Sequence, residues 1–250
     1  MEKYQVNALP SSMYYVPNFI SAEEEASILE SIAKAHQIPA NRWVSLSHRR
    51  LQALPSRLTA ANTLLPSPLP AWLRKPVVER IMSLNGIFEG APHGINHCLI
   101  NEYIPGQGIM PHEDGGAYYP VVATVSLGGS IVLDVTEKRL ENSETSESAG
   151  PTDEQLAESR PKSWRILQEP RSLLITTGPA YTDTLHGIAE VTEDVDLSEN
   201  TIANWELLGD HGSIAACGGR NVRTTRISLT LRAVKKVSSV GSKLFGKAKT

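Results

Sequence analysis

His112 and Asp114 stand two residues apart in the run Asn101-Glu102-Tyr103-Ile104-Pro105-Gly106-Gln107-Gly108-Ile109-Met110-Pro111-His112-Glu113-Asp114. The run reads as a strand, a Pro-Gly turn and a second extended segment. In an extended chain residues i and i+2 point to the same face, so the imidazole and the carboxylate project side by side into one space. They make two thirds of a facial triad for a non-haem ferrous ion, and a second histidine must complete it. Downstream, His186 lies in the strand-like run Thr184-Leu185-His186-Gly187-Ile188, and His211 lies in the unpatterned loop Gly209-Asp210-His211-Gly212-Ser213. A metal ligand must be held rigidly, which favours His186. A lone histidine on a strand is more often structural, and it is the upstream pair that shifts the balance towards ligation.

A second chemical signal lies near the end of the chain. Arg226-Ile227-Ser228-Leu229-Thr230-Leu231-Arg232 alternates strictly. Ile227, Leu229 and Leu231 form one face, and Arg226, Ser228, Thr230 and Arg232 form the other. The polar face either meets solvent, as in an ordinary half-exposed strand, or lines an interior. In an interior, the guanidiniums need carboxylate partners, because an unpaired buried charge is costly. A dicarboxylate ligand answers that need, since the planar guanidinium fork matches a carboxylate.

The elements that must position these residues come in two blocks. Met13–Val16 reads as a strand, and Ser21-Ala22-Glu23-Glu24 is a capping box opening a helix that runs to Pro39. Residues 42–70 read as a long, Pro-rich basic loop, with a short strand at Trp43–Leu46. Pro70 then opens a helix through Met82, stopped by Asn85-Gly86. From about residue 95 short β-branched runs alternate with Gly and Pro turns. Strands are expected at 97–104, 121–127, 130–135, 164–168, 172–177, 184–188 and 223–234. Residues 137–162 read as an acidic, disordered insertion, and 190–221 as a second insertion with weak patterning. The fold class is α+β: a double-stranded β-helix (jelly roll) over residues 95–234, an N-terminal extension over 1–94 whose helices pack on one sheet, and a basic tail over 235–250.

The chain has 250 residues, 40% of them hydrophobic and 20% charged, with two cysteines. This is the composition of a globular protein that needs no disulfide framework, in a reducing compartment. The run Met1-Glu2-Lys3-Tyr4 lacks the build of a signal peptide, and no apolar run approaches membrane-spanning length. A monomer in the cytoplasm or nucleus is expected. The net charge of −3 hides segregation. Ser31 to Val78 contains no acid but carries Lys34, Arg42, Arg49, Arg50, Arg57, Arg74 and Lys75, and a second acid-free stretch carries Lys235, Lys236, Lys243, Lys247 and Lys249. Either these charges are simply solvated, or they form a basic face.

His112-x-Asp114, His186 and Arg226-x-Ser228-x-Thr230-x-Arg232, with Asn101-x-Tyr103 upstream, resemble the AlkB family of Fe(II)/2-oxoglutarate dioxygenases. Pro105–Gly115, Tyr118-Tyr119-Pro120, Glu169–Leu174 and Gly178-Pro179-Ala180-Tyr181 are similar to its AlkB homolog 6 subgroup. The resemblance covers roughly Tyr14 to Val234. It implies that His112, Asp114 and His186 bind iron(II), and that Asn101, Tyr103, Arg226, Ser228 and Arg232 contact 2-oxoglutarate. Many members carry asparagine where this chain has Ser228. Dioxygen is the co-substrate, and the reaction implied is oxidative demethylation of an N-alkylated nucleobase in RNA or single-stranded DNA. Arg49, Arg50, Tyr118 and Tyr119 are the candidate substrate contacts, the arginines for phosphates and the tyrosines for a base. For Trp43, core packing is the better reading. Three alternatives stand beside this one. They are a protein side-chain hydroxylase or demethylase, a modified-RNA binder with weak turnover, and a cupin-like small-molecule binder holding zinc in the same ligands.

Overall fold

The structure, a computed structural model, describes residues 1–9, 12–35, 43–84, 86–138 and 161–238. The expected helix end at Pro39, the stop at Asn85, most of the acidic insertion and the tail beyond Ser238 lie outside the described residues.

In chain order the strands are β1 (Met13–Val16), β2 (Val44–Leu46), β3 (Arg49–Leu54), β4 (His97–Tyr103), β5 (Ile109–His112), β6 (Tyr118–Gly128), β7 (Ile131–Glu137), β8 (Ser163–Gln168), β9 (Leu173–Thr177), β10 (Thr184–Ile188), β11 (Glu193–Asp194), β12 (Asn221–Val222) and β13 (Arg226–Val234). The helices are α1 (Ala22–Ala35), α2 (Ala71–Leu73), α3 (Glu79–Met82), α4 (Gly178–Thr182) and α5 (His211–Ala216). A seven-stranded sheet in the order β1-β9-β6-β13-β4-β3-β2 faces a four-stranded sheet in the order β5-β10-β7-β8, and the named pairs are antiparallel. This is the expected double-stranded β-helix. Three strands of the large sheet come from residues before 95.

The alternation along the central strands sorts side chains between two environments. Cys98, Ile100, Ala123, Val125, Leu127, Leu173, Ile175, Leu229 and Leu231 face one way and form a core with Ile28 and Ile32 of α1, Leu73 of α2 and Ile81 of α3. Their alternates, Leu99, Asn101, Tyr103, Val122, Thr124, Leu174, Thr176, Arg226, Ser228, Thr230 and Arg232, line the space between the sheets. The polar face of β13 is therefore interior. Both of its neighbours and both of its faces are covered, which is why the half-exposed alternative fails.

The capping box forms as read: the Ser21 backbone N–H donates to Glu24 Oε2 at 2.9 Å, and the Glu24 N–H donates to Ser21 Oγ at 3.2 Å. Glu24 also receives Arg80 (Nη2–Oε1 2.7 Å), fastening the start of α1 to α3.

Two expectations need correction. The helix from Pro70 to Met82 is not continuous. Lys75 sits at φ −116°, ψ 126°, between α2 and α3, because the residue before a proline (Pro76) is pushed out of the helical region. Arg49–Leu54 is not irregular loop but strand β3, paired to β4 from Arg50↔Glu102 to Leu54↔Cys98. Its charged start hides a strand whose partner lies about fifty residues away. The weakly patterned segment 190–221 carries β11, α5 and the start of β12. There Arg223 and Asp194 form a buried pair (Nη2–Oδ1 2.5 Å).

Candidate metal and 2-oxoglutarate site

His112 ends β5 and His186 is central in β10, and the two are direct partners in the β5–β10 register. Their ring centroids lie 4.4 Å apart. Asp114 follows two residues after His112. The ligand atoms of His112, Asp114 and His186 all fall within 4.8 Å of one another, the spacing a single ion needs. His211 is elsewhere, on α5 beside the Trp205 ring at 5.8 Å. His112 Nδ1 lies 2.9 Å from the Met110 carbonyl. A carbonyl only accepts, so Nδ1 carries the proton and Nε2 is left with its lone pair for a ligand. Burial pushes the His186 imidazole down to about 4, against the pull of Asp114, so it is neutral and able to coordinate.

Asp114 is held by Arg232, whose guanidinium donates to Oδ1. Its other oxygen, Oδ2, is buried without a hydrogen-bond partner. A buried, unpartnered carboxylate oxygen beside two imidazoles fits a divalent cation.

The triad opens into a cavity of about 270 Å³ between the sheets. Arg226 lies in its wall and is 2% exposed. Its Nη2 donates to Ser126 Oγ and Gln168 Oε1, both at 2.9 Å, and its Nε has no partner. Among the described residues no carboxylate pairs with it. Burial pushes this guanidinium down to about 10, with Tyr103 opposing that shift. A buried cation held only by neutral acceptors fits the carboxylate of a ligand. Tyr103 and Asn101 stand directly opposite Arg226 and Ser228 in the β4–β13 register, and all four line the same cavity. Asn101 Oδ1 accepts from Arg49 Nε at 3.3 Å.

The expected substrate contacts divide. Arg49 lines the cavity. Arg50, its alternate on β3, is turned away into a fork with Glu102 (Nε–Oε1 2.6 Å, Nη2–Oε2 2.7 Å) and stacks at 4.5 Å on Trp43. Trp43 packs against the large core, as does Tyr119, whose hydroxyl abuts Gly90. Tyr118 stays beside the site, under the Arg232 guanidinium at 4.7 Å and 5.9 Å from the His97 ring. Three residues at the site escape a reading of spacing alone. Gln168 and Ser126 hold Arg226 from strands far off in sequence. Tyr181, on α4, has a buried, unpartnered hydroxyl, and burial and then Asp114 raise its pKa.

The 2OG-Fe(II) oxygenase superfamily model matches residues 12–232. The chain belongs to this superfamily. It is also 40% identical over 237 residues to the probable RNA/DNA demethylase ALKBH6 of Danio rerio, covering 95% of this chain and 92% of that protein. It is 28% identical to the tRNA (carboxymethyluridine(34)-5-O)-methyltransferase alkbh8 of Xenopus tropicalis, spanning 91% of this chain but only 32% of that longer protein. The solved structure of OsALKBH1 shares the fold with a TM-score of 0.55 at 17% identity, over 90% of this chain and 99% of that one. As a 2OG-Fe(II) oxygenase of the AlkB type, the chain is a dioxygenase that uses iron(II) and 2-oxoglutarate. The donor set and the buried guanidinium fit those two cofactors.

Proposed function

We propose that this oxygenase removes an alkyl group from a nucleobase nitrogen in RNA or single-stranded DNA, with His112, Asp114 and His186 holding iron and Arg226 holding the distal carboxylate of 2-oxoglutarate. The observation that carries the cofactor assignment is the pairing, in one cavity, of a three-ligand cluster with a buried guanidinium that lacks a carboxylate. The nucleic-acid reading is supported by the relative at 40% identity that is named a probable RNA/DNA demethylase.

Bound there, iron(II) and 2-oxoglutarate supply the activation of dioxygen that oxidises a substrate C–H bond as the keto acid loses carbon dioxide. The chain's own residues set the geometry. Met110 O fixes the tautomer of His112. Arg232 fixes Asp114 through Oδ1 and leaves Oδ2 for the metal. Ser126 and Gln168 hold Arg226 through Nη2, leaving Nε unpartnered to pair with a ligand carboxylate, and Asn101, Tyr103 and Ser228 line the same cavity. Beyond Asp114, Gly115 and Gly116 leave open space within 4 Å of where side chains would stand, room for a flat base to approach.

The test is formaldehyde release from single-stranded RNA and DNA oligonucleotides with N-methylated bases, run beside N-methylated peptides. Release from an oligonucleotide, abolished in His186→Ala and kept in His211→Ala, is expected. Turnover of peptides alone overturns the nucleic-acid reading, and loss of activity in His211→Ala but not His186→Ala overturns the ligand set.

A further inference from the structure

Three chain segments without a carboxylate meet beside the metal loop. Residues 54–78, 115–133 and 231–250 contain no Asp or Glu. Backbone bonds join them: Lys235 N donates to Ala117 O at 3.0 Å, Leu64 N donates to Lys236 O at 2.9 Å, and Ser238 N donates to Leu64 O at 2.9 Å. On the other side, the His97 Nε2–H donates to Ser56 O at 3.0 Å, and Val234 lies opposite Tyr118 in the β13–β6 register. Arg57, Lys235 and Lys236, carried by these segments, are exposed. None has a salt bridge among the described residues.

The position of the cluster ties it to the site. Ala117, which Lys235 caps, is three residues past Asp114. Lys235 itself is three residues past Arg232, about 10 Å along an extended chain. Arg232 holds Asp114 and lies over Tyr118. Several cations elsewhere are paired: Arg50 to Glu102, Arg80 to Glu24, Arg171 to Glu25 and Arg220 to Glu193, while exposed Arg74 and Lys162 are on segments away from this junction. Three exposed cations without a carboxylate thus sit on segments joined by backbone bonds beside the loop that follows Asp114, on a protein whose net charge is −3. A charge pattern of this kind attracts a polyanion to that flank and not to the body.

We propose that Arg57, Lys235 and Lys236 form a phosphate-binding track for the single strand that flanks the target base, running past the Gly115–Tyr118 loop. The proposal rests on the nucleic-acid reading above. The side chains read no sequence; they hold the backbone while Tyr118 stands nearest the base.

The experiment measures anisotropy of a labelled, unmodified single-stranded oligonucleotide bound to the full-length protein across a salt series. The variants are Arg57→Gln/Lys235→Gln/Lys236→Gln, the charge-keeping Arg57→Lys/Lys235→Arg/Lys236→Arg, the tail Lys243→Gln/Lys247→Gln/Lys249→Gln, and Arg74→Gln/Lys75→Gln between α2 and α3. Each phosphate contact on a single strand contributes about 0.7 to the slope of log K against log salt, so the first variant should lose about 2 from the slope and bind about tenfold more weakly. The charge-keeping and Arg74/Lys75 variants should match wild type, and 2-oxoglutarate binding should be unchanged in all. If the Gln track variant binds like wild type, or only the tail variant loses the slope, the track is overturned while the nucleic-acid reading stands. If wild type binds acidic peptides and no oligonucleotide, both are overturned.

Discussion

Arg232 and Asp114 form an ion pair that is almost sealed from solvent, with side chains 10% and 3% exposed. It joins the last strand of the fold to the metal loop across 118 residues of chain. A contact to 2-oxoglutarate was the sequence-based expectation for Arg232; in the structure its ion-pair partner is the carboxylate of the candidate metal cluster. Replacing Arg232 by Ala leaves a buried carboxylate uncompensated, a loss of about 3–5 kcal/mol. A divalent ion neutralises the same carboxylate, so the gap in melting temperature between wild type and Arg232→Ala should narrow when Mn(II) is added. A gap indifferent to metal would show that Arg232 acts elsewhere.

Arg226 predicts the opposite stability effect. It is a buried cation with no carboxylate partner among the described residues, and Ser126 Oγ can still donate to Gln168 Oε1, 3.2 Å away, once the guanidinium is gone. Arg226→Met should therefore leave the ligand-free melting temperature unchanged or raise it. A charge-assisted hydrogen bond is worth about 1.5–3 kcal/mol, so 2-oxoglutarate should bind roughly 10- to 100-fold more weakly. The thermal shift produced by 2-oxoglutarate reads both effects. An unfolded variant, or one that keeps its shift, contradicts the assignment.

His97 gives the protein an acid-sensitive position. Burial pushes its imidazole down to about 4, with Arg232 adding to the effect and the Ser56 carbonyl opposing it. Its Nδ1 has no partner. An unfolded chain takes up this proton near pH 6.5 and the folded chain only near pH 4. The unfolded state binds more protons between those values, so stability falls as pH drops from about 6.5 and levels off below about 4, by up to roughly 3 kcal/mol. His97→Gln cannot titrate. Its urea midpoint should fall less steeply than that of wild type from pH 7 to 5, and equal slopes would exclude His97 as the cause.

The residues legible in sequence were those whose signal is local. His112 and Asp114 share a face because they are two apart on extended chain, and β13 shows its two environments in strict alternation. The capping box at Ser21 and Glu24 is four residues long. What escaped depends on distant partners. Arg49–Leu54 becomes a strand only because β4 offers an edge, and this is what places Arg49 in the cavity and turns Arg50 out to Glu102. Gln168 and Ser126 support Arg226 across 58 and 100 residues, a relation that no window on the chain displays. The break at Lys75 had a local signal in Pro76, which the apolar periodicity around it masked.

The last prediction concerns how His112 is kept against His186. β5 is an edge strand of the small sheet, with β10 its only neighbour there among the described residues. Gly187, next to His186, sits close against the β5 backbone. A Cβ on Gly187 would lie 2.9 Å from Pro111 N and 3.1 Å from Ile109 O, both backbone atoms of β5 that cannot rotate away. Gly187→Ala should therefore displace the edge strand, and His112 with it, because β10 is pinned on its other side by β7. Overpacking of this kind costs about 1–3 kcal/mol, which a folded protein survives. The metal site is less tolerant, since ligand geometry is set by the separation of the two strands. Titration with Mn(II) should show clearly weaker binding in Gly187→Ala. Gly115→Ala, where nothing lies within 4 Å of the added carbon, should bind as wild type does. Equal affinity in Gly187→Ala and wild type would mean that His112 is fixed by its own hydrogen bond to Met110 O and not by the strand it ends.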